Sequence, residues 1–231
     1  MAKTSTVRHQ QVAEEILAKA GLLFDELSYG RTSLQDIADA VGIARPSLYH
    51  YFKSKEEILA TLVDRAIDSR EIIANEISAM SATPQERLGR LLRDLGRVTA
   101  ANPIGLRLMM NYGAALPEAS QQRSIRVRRR LFELLVSILE DGMSSGSLRP
   151  MDARQCAAIM IASITGLQYK EIGGIRTDPD ISARMLEQVM VQGVCQPTER
   201  RASSAKEALE LLYDDLELLG HHIGSNGSNG R

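Results

Sequence analysis

Residues 30–57 read Gly30-Arg31-Thr32-Ser33-Leu34-Gln35-Asp36-Ile37-Ala38-Asp39-Ala40-Val41-Gly42-Ile43-Ala44-Arg45-Pro46-Ser47-Leu48-Tyr49-His50-Tyr51-Phe52-Lys53-Ser54-Lys55-Glu56-Glu57. The pattern is two short helices joined by a tight turn. Ile37, Ala38 and Val41 give the first helix a buried face, and Ala38 is small where the two helices cross. Gly42 stands where the chain reverses, a position that favours left-handed backbone. Arg45-Pro46 opens the second helix, on which Leu48 and Phe52, four apart, face inward, and Ser54 begins a long third helix. This is a helix-turn-helix, whose second helix can enter a major groove. An αα-hairpin inside a bundle shares the periodicity but would fill its outer positions with Glu and Lys. Here the outer side holds Tyr49, His50 and Tyr51, which can donate hydrogen bonds to phosphates, stack, or touch a thymine methyl.

Outward from this stretch the punctuation stays helical. Capping boxes fit at Thr32–Gln35, Ser54–Glu57, Thr83–Glu86 and Ser204–Glu207. Asn102-Pro103 and Asp178-Pro179 add starts of the cap-then-proline kind, and Asp152 is a further cap. Apolar residues advance by three or four, as in Val12, Ile16, Ala20, Leu23 and Leu27, or Leu88, Leu91, Leu92 and Leu95. The reading is helices near 8–28, 33–41, 45–51, 54–80, 84–100, 103–113, 118–144, 152–172, 179–195 and 204–220, with no hairpin. The predicted fold is all-α: a three-helix, N-terminal helix-turn-helix domain over 1–55, a helical bundle over 56–220, and a disordered tail over 221–231.

Composition narrows the function classes. Of 231 residues, 44% are hydrophobic and 25% charged, ordinary for a soluble globular protein. The formal net charge of −1 excludes a histone-like protein, so any nucleic-acid contact comes from a local patch. Cys156 and Cys195 make no disulfide framework and suit a reducing setting. No apolar run approaches the length of a membrane span, and Met1–Gln10 has no signal-peptide core, which predicts a cytoplasmic protein. Residues 84–220 hold no catalytic constellation, no metal spacing and no phosphate loop, so neither an enzyme nor a cofactor or metal site is expected.

Thr32–Ile43 followed by Ser47–Glu57 resembles the DNA-binding signature of the tetracycline-repressor family of bacterial regulators. The match extends over about Gln10–Ile67 and includes Phe24 on the preceding amphipathic helix. The resemblance implies that Thr32 and Ser33 bind backbone phosphate at a helix start. It places Arg45, Ser47 and His50 at the bases, Tyr49 and Tyr51 on phosphate and sugar, and Lys55 on a phosphate, with Pro46 belonging to the same DNA-binding set. Lys3 and Arg8 would reach DNA from a flexible arm, or remain a solvated tail. Ala44 departs from the family's frequent Ser cap, so the second helix is expected to start at Arg45 with Pro46 next. Residues 1–55 carry a net charge of only +1. Affinity must therefore come from placement and from two copies on a partly palindromic operator.

The bundle would hold the effector. Methionines suit an adaptable apolar cavity, although each singly reads as core filler. Met109, Met110 and Met160, with Asn111, Tyr112, Gln168 and Tyr169 as polar orienters, are the candidate ligand residues for a small apolar or amphipathic molecule. The run Arg123, Arg126, Arg128, Arg129 and Arg130 reads as a solvated face paired with acids elsewhere, or as a seat for an anionic group. The late helices are apolar and rich in small residues, and the family pairs its late helices across a dimer. Ile159, Ala162, Gly166, Met185 and Val189 are thus expected at a homodimer interface. The expectation is a ligand-responsive repressor; its rival is a DNA-binding regulator without small-molecule sensing.

Overall fold

Thr83 shows how the chain commits to helix. Its hydroxyl accepts the Glu86 amide at 3.3 Å, and the Glu86 carboxylate accepts the Thr83 amide at 2.9 Å. Pro84, which has no amide to satisfy, follows. The computed structural model describes residues 2–169, 171–172, 175–176 and 178–195. In chain order the helices are α1 (Ala2–Glu26), α2 (Leu34–Val41), α3 (Arg45–Leu48), α4 (Lys55–Ala79), α5 (Pro84–Ala101), α6 (Pro103–Tyr112), α7 (Glu118–Ser144), α8 (Ala153–Gly166) and α9 (Pro179–Val194). Ser54, Asp152 and Asp178 cap α4, α8 and α9 through their side chains, as their spacing predicts. Asn102 precedes α6 without a side-chain cap bond.

One apolar core runs through the bundle. Ile16, Ala20 and Phe24 of α1 meet Ile37, Ala38, Leu48 and Phe52 in the N-terminal part. Leu88, Leu91, Leu92 and Leu95 of α5 meet Leu131, Leu135, Ile138 and Leu139 of α7 in the C-terminal part. α4 belongs to both, burying Ile58, Leu59 and Val63 near its start and Ile67, Ile73, Ala74 and Ile77 further along. It is crossed closely by α6, where a Cβ on Gly105 would meet the Ala66 Cβ at 2.8 Å.

The fold class is all-α as read, with three local corrections. α1 begins at Ala2, so Lys3 and Arg8 lie on a helix rather than on a flexible arm. α8 ends at Gly166, short of the expected 172. Beyond it, β1 (Glu171–Ile172) and β2 (Ile175–Arg176) form a small antiparallel ribbon with Glu171 opposite Arg176 and Ile172 opposite Ile175. The sequence between them is Gly173-Gly174, the composition favoured between paired strands, flanked by β-branched isoleucines. The expected 204–220 helix and 221–231 tail lie outside the described residues.

Candidate functional site

The start of α2 is set by Ser33, one residue later than the Thr32–Gln35 box predicts. The Ser33 hydroxyl accepts the Asp36 amide at 3.2 Å and the Asp36 carboxylate accepts the Ser33 amide at 2.8 Å, which holds the Asp36 carboxyl below its ordinary value. Thr32 is buried, and its hydroxyl donates to the carbonyls of Leu23 at 3.2 Å and Ser28 at 3.0 Å. Its amide also goes to Ser28. Thr32 thus satisfies carbonyls left over at the end of α1 and has no donor for a phosphate. Ser33 is exposed at the helix start. Gly42 adopts φ 78°, the left-handed turn its position required.

α3 starts at Arg45 after an extended Ala44 with no side-chain cap, and Pro46 follows in its first turn. It is only four residues long, and residues 49–51 continue as turn. Leu48 and Phe52 anchor it in the core, while Arg45, Pro46, Tyr49 and His50 are exposed and Ser47 is half-buried. Arg45 Nη2 donates to the Tyr49 hydroxyl at 3.3 Å, so the two side chains form one exposed unit. Tyr51 is half-buried, its ring stacked on His9 of α1 at 4.4 Å between centroids. That stacking fixes the Tyr51 ring against α1 and brings His9 beside the expected phosphate contact.

Lys55 is more tied down than a phosphate contact requires. Its Nζ donates to the carbonyls of Tyr29 at 2.8 Å and Thr32 at 2.9 Å and lies 4.3 Å from the centre of the Tyr29 ring. Tyr29 in turn donates its hydroxyl to Glu56 at 3.0 Å, and burial, followed by this carboxylate, pushes its pKa well above the ordinary tyrosine range. The first residues of α4 are therefore fastened to the α1–α2 connection.

In the bundle, a cavity of about 100 Å³ lies among α4, α5, α6, α7 and α8, with Arg70, Thr99, Leu106, Met109, Arg128 and Ile161 in its wall. A second cavity of about 120 Å³, bordered by Gln121 and Ser124, shares Met109 and Arg128 with it. Of the predicted ligand residues only Met109 lines this space. Met110, Asn111 and Tyr169 are exposed, and Tyr112 packs against Tyr29. Met160 is buried in the core, away from both walls. Gln168 is buried with its carbonyl accepting from Arg107 at 2.7 Å. Neighbours on a helix are rotated by about 100°, so Met109, Met110 and Asn111 cannot share one wall. Arg70 and Thr99 are the members the sequence reading missed. Their signal was Arg70 itself, standing on the Val63–Ile67–Ala74–Ile77 stripe of α4 where an apolar residue is expected.

A further cavity of about 340 Å³ is a groove between α1, α4 and α6 that contains Gly21, Leu62 and Gly105. Its charged wall is self-neutralised by the Arg65–Glu14 ion pair. Arg107 of α6 binds Asp25 of α1 as well as the Gln168 carbonyl, joining the N-terminal helix to the end of α8. In the arginine run, Arg123 pairs with Asp68 at 2.7 Å and with Glu71, while Arg126, Arg128, Arg129 and Arg130 are exposed. Among the predicted interface residues, Ile159 (61%), Met185 (52%) and Val189 (57%) are exposed, as is Ala162. Gly166 is half-buried with open space beside it. Among the described residues no cluster of His, Cys, Asp and Glu could hold a metal, and no helix is long and apolar enough to cross a membrane.

Comparison with known proteins agrees with this geometry. Residues 16–62 match the family model described as bacterial regulatory proteins of the tetR family, and residues 81–194 match a tetracyclin repressor-like C-terminal domain. The transcriptional repressor KstR2 of Mycobacterium tuberculosis is 31% identical over 139 residues, covering 59% of this chain and 68% of the relative. Its solved structure superposes with a TM-score of 0.69 at 24% identity, over 80% of this chain and 95% of the other. The regulator PfmR from Thermus thermophilus superposes with a TM-score of 0.65 at 27% identity, over 77% and 97%.

Proposed function

Because the chain belongs to the tetracycline-repressor family, whose members are DNA-binding transcriptional regulators rather than enzymes, we propose that it is a ligand-responsive repressor. In this reading it binds a partly palindromic operator as a homodimer and lets go when a small, apolar or amphipathic effector fills the bundle. The observation that carries the reading is a pair of features joined by one helix. Just before α4 stands the exposed Arg45–Tyr49–His50 surface, and about four turns into α4 the same helix contributes Arg70 to an internal cavity.

The DNA contacts divide by chemistry. Tyr49, whose hydroxyl accepts from Arg45 and keeps its own proton to donate, holds phosphate and sets register, with the remaining donor of Lys55 adding a second contact; Ser33 joins them when its hydroxyl turns from the Asp36 carboxylate, to which it donates at 2.8 Å. Arg45, Ser47 and His50 address base edges. One short recognition helix reads few base pairs, which is why two copies are needed. The exposed apolar residues Ile159, Met185 and Val189 on α8 and α9 suit burial against a second copy. Residues 1–55 form the reading part and 56–220 the effector and dimer part.

Switching follows from α4. Reading helices on a dimer bind well when about 34 Å apart, one turn of DNA. An effector that fits better when the two α4 helices have swung shifts the population away from that spacing. Arg107, bonded to both Asp25 and the Gln168 carbonyl, supports transmission of the same movement to α1. A gel-shift titration on the DNA flanking the protein's own gene, repeated with a library of apolar and amphipathic compounds, tests this. Retarded DNA that a compound sets free is the expected result; retarded DNA that nothing releases supports a regulator without small-molecule sensing.

A further inference from the structure

Arg70 is 8% exposed, on the apolar side of α4 between Ile67 and Ala74. Nη1 donates to the Ala66 carbonyl at 2.9 Å and Nη2 to the Thr99 hydroxyl oxygen at 3.0 Å. Among the described residues no carboxylate lies within ion-pair distance of it; the neighbouring acids Asp68 and Glu71 pair with Arg123 instead. Burial pushes the pKa of its guanidinium down to about 10. An unpaired buried cation is costly to keep. This one borders a cavity whose wall is mainly apolar, with Leu95, Leu106, Leu131 and Ile161 among its residues, and whose other polar members are Thr99, Thr165 and Arg128.

We propose that this cavity takes a single-chain amphiphile whose oxyanion head, a carboxylate or a phosphate ester, pairs with Arg70 while its hydrocarbon chain lies against those apolar walls. The inference rests on the ligand-responsive reading above and adds the chemical class of the effector. A forked guanidinium matches a planar or tetrahedral oxyanion through two parallel hydrogen bonds. The Thr99 hydroxyl, accepting from Arg70, keeps its own proton to donate to the same head. Arg128, exposed and bordering the same space, is a second cation on the approach. At about 100 Å³ the cavity is smaller than the roughly 300–1,000 Å³ typical of ligand sites. The chain of the ligand must therefore displace Met109 into the adjoining space, and a thioether is flexible enough to yield. That displacement presses on α6 and α7, both packed against α4.

The test is calorimetric titration of the full chain with octanoate, octyl phosphate and 1-octanol, on the unsubstituted protein, Arg70→Met and Arg70→Lys. At least one anion should bind ten-fold or more tightly than octanol to the unsubstituted protein, and comparison of the two anions tells carboxylate from phosphate. Arg70→Met should bring the anion down to the octanol level while octanol binding stays within about two-fold; Arg70→Lys should retain part of the preference. Thermal melts identify any variant that fails to fold, in which case the anion-to-octanol ratio of the unsubstituted protein decides. Equal binding of all three probes, no binding of either anion, or a preference that survives Arg70→Met overturns the proposal. If octanol or another neutral compound releases DNA without any anion preference, this inference falls while the ligand-responsive reading stands.

Discussion

Gly105 on α6 stands so close to Ala66 on α4 that an added Cβ would lie 2.8 Å from the Ala66 Cβ and 3.0 Å from the Leu62 carbonyl oxygen. The two helices touch there nearly backbone to backbone, one turn before Arg70. Gly105→Ala should overpack this crossing and lower stability by about 1–3 kcal/mol. Gly113→Ala, where an added Cβ meets nothing within 4 Å, should stay within about 0.5 kcal/mol. Denaturant melts on both variants compare the two; equal stabilities would mean the crossing relaxes freely.

Lys55→Ala should have two effects, because Lys55 both fastens the α1–α2 connection and lends charge to the DNA surface. Removing the ammonium from the Tyr29 and Thr32 carbonyls should lower stability by about 1.5 kcal/mol, the low end for bonds to a charged group since the site is half-exposed. Binding to DNA of any sequence should weaken, with the salt slope reduced by about one. Unchanged melting would show that the carbonyl contacts carry no weight.

Contacts to phosphate and contacts to bases should separate in a binding series. Tyr49→Ala should weaken binding to all duplexes alike. Arg45→Ala and His50→Ala should each relax preference at particular positions, by about 1–3 kcal/mol for a good base contact. Fluorescence anisotropy on the best site and on single-base variants reads both. Because the Tyr49 hydroxyl accepts from Arg45, a change of preference confined to the positions Arg45 addresses fits this assignment, whereas altered preference at other positions in Tyr49→Ala would reverse it.

Val189→Arg should separate assembly from folding. Val189 is exposed on α9, so the monomer fold tolerates arginine there, whereas burying that charge against a second copy is expensive. Sedimentation should show a monomer of unchanged helicity that no longer holds its operator. A dimer that persists would move the interface off α9.

Legibility in the sequence followed the range of the forces involved. Local devices were readable: the Thr83–Glu86 box, the Asp152 and Asp178 caps and the left-handed Gly42 all stand where spacing placed them. Thr32 and Ser33 show the limit of local reading. Each has a box-forming residue three positions on, and only the tertiary burial of Thr32 at the end of α1 decides between them. The cavity was less legible still. Side-chain type nominated Met110, Asn111 and Tyr169, which face solvent, while Arg70 and Thr99 stand 29 residues apart and meet only through the α4–α5 packing. A charged residue on an apolar stripe was the one local sign of that site.

In the proposed switch, operator and effector compete through α4. Linkage then requires the operator to lower effector affinity by the same factor by which effector lowers operator affinity. The most direct measurement is calorimetric titration of a DNA-releasing compound into free protein and into the protein saturated with its operator. The expected result is weaker binding to the complex, by a factor equal to the loss of DNA affinity measured with the compound present. Equal affinity for the free and the DNA-bound protein would contradict it, however tightly the compound binds.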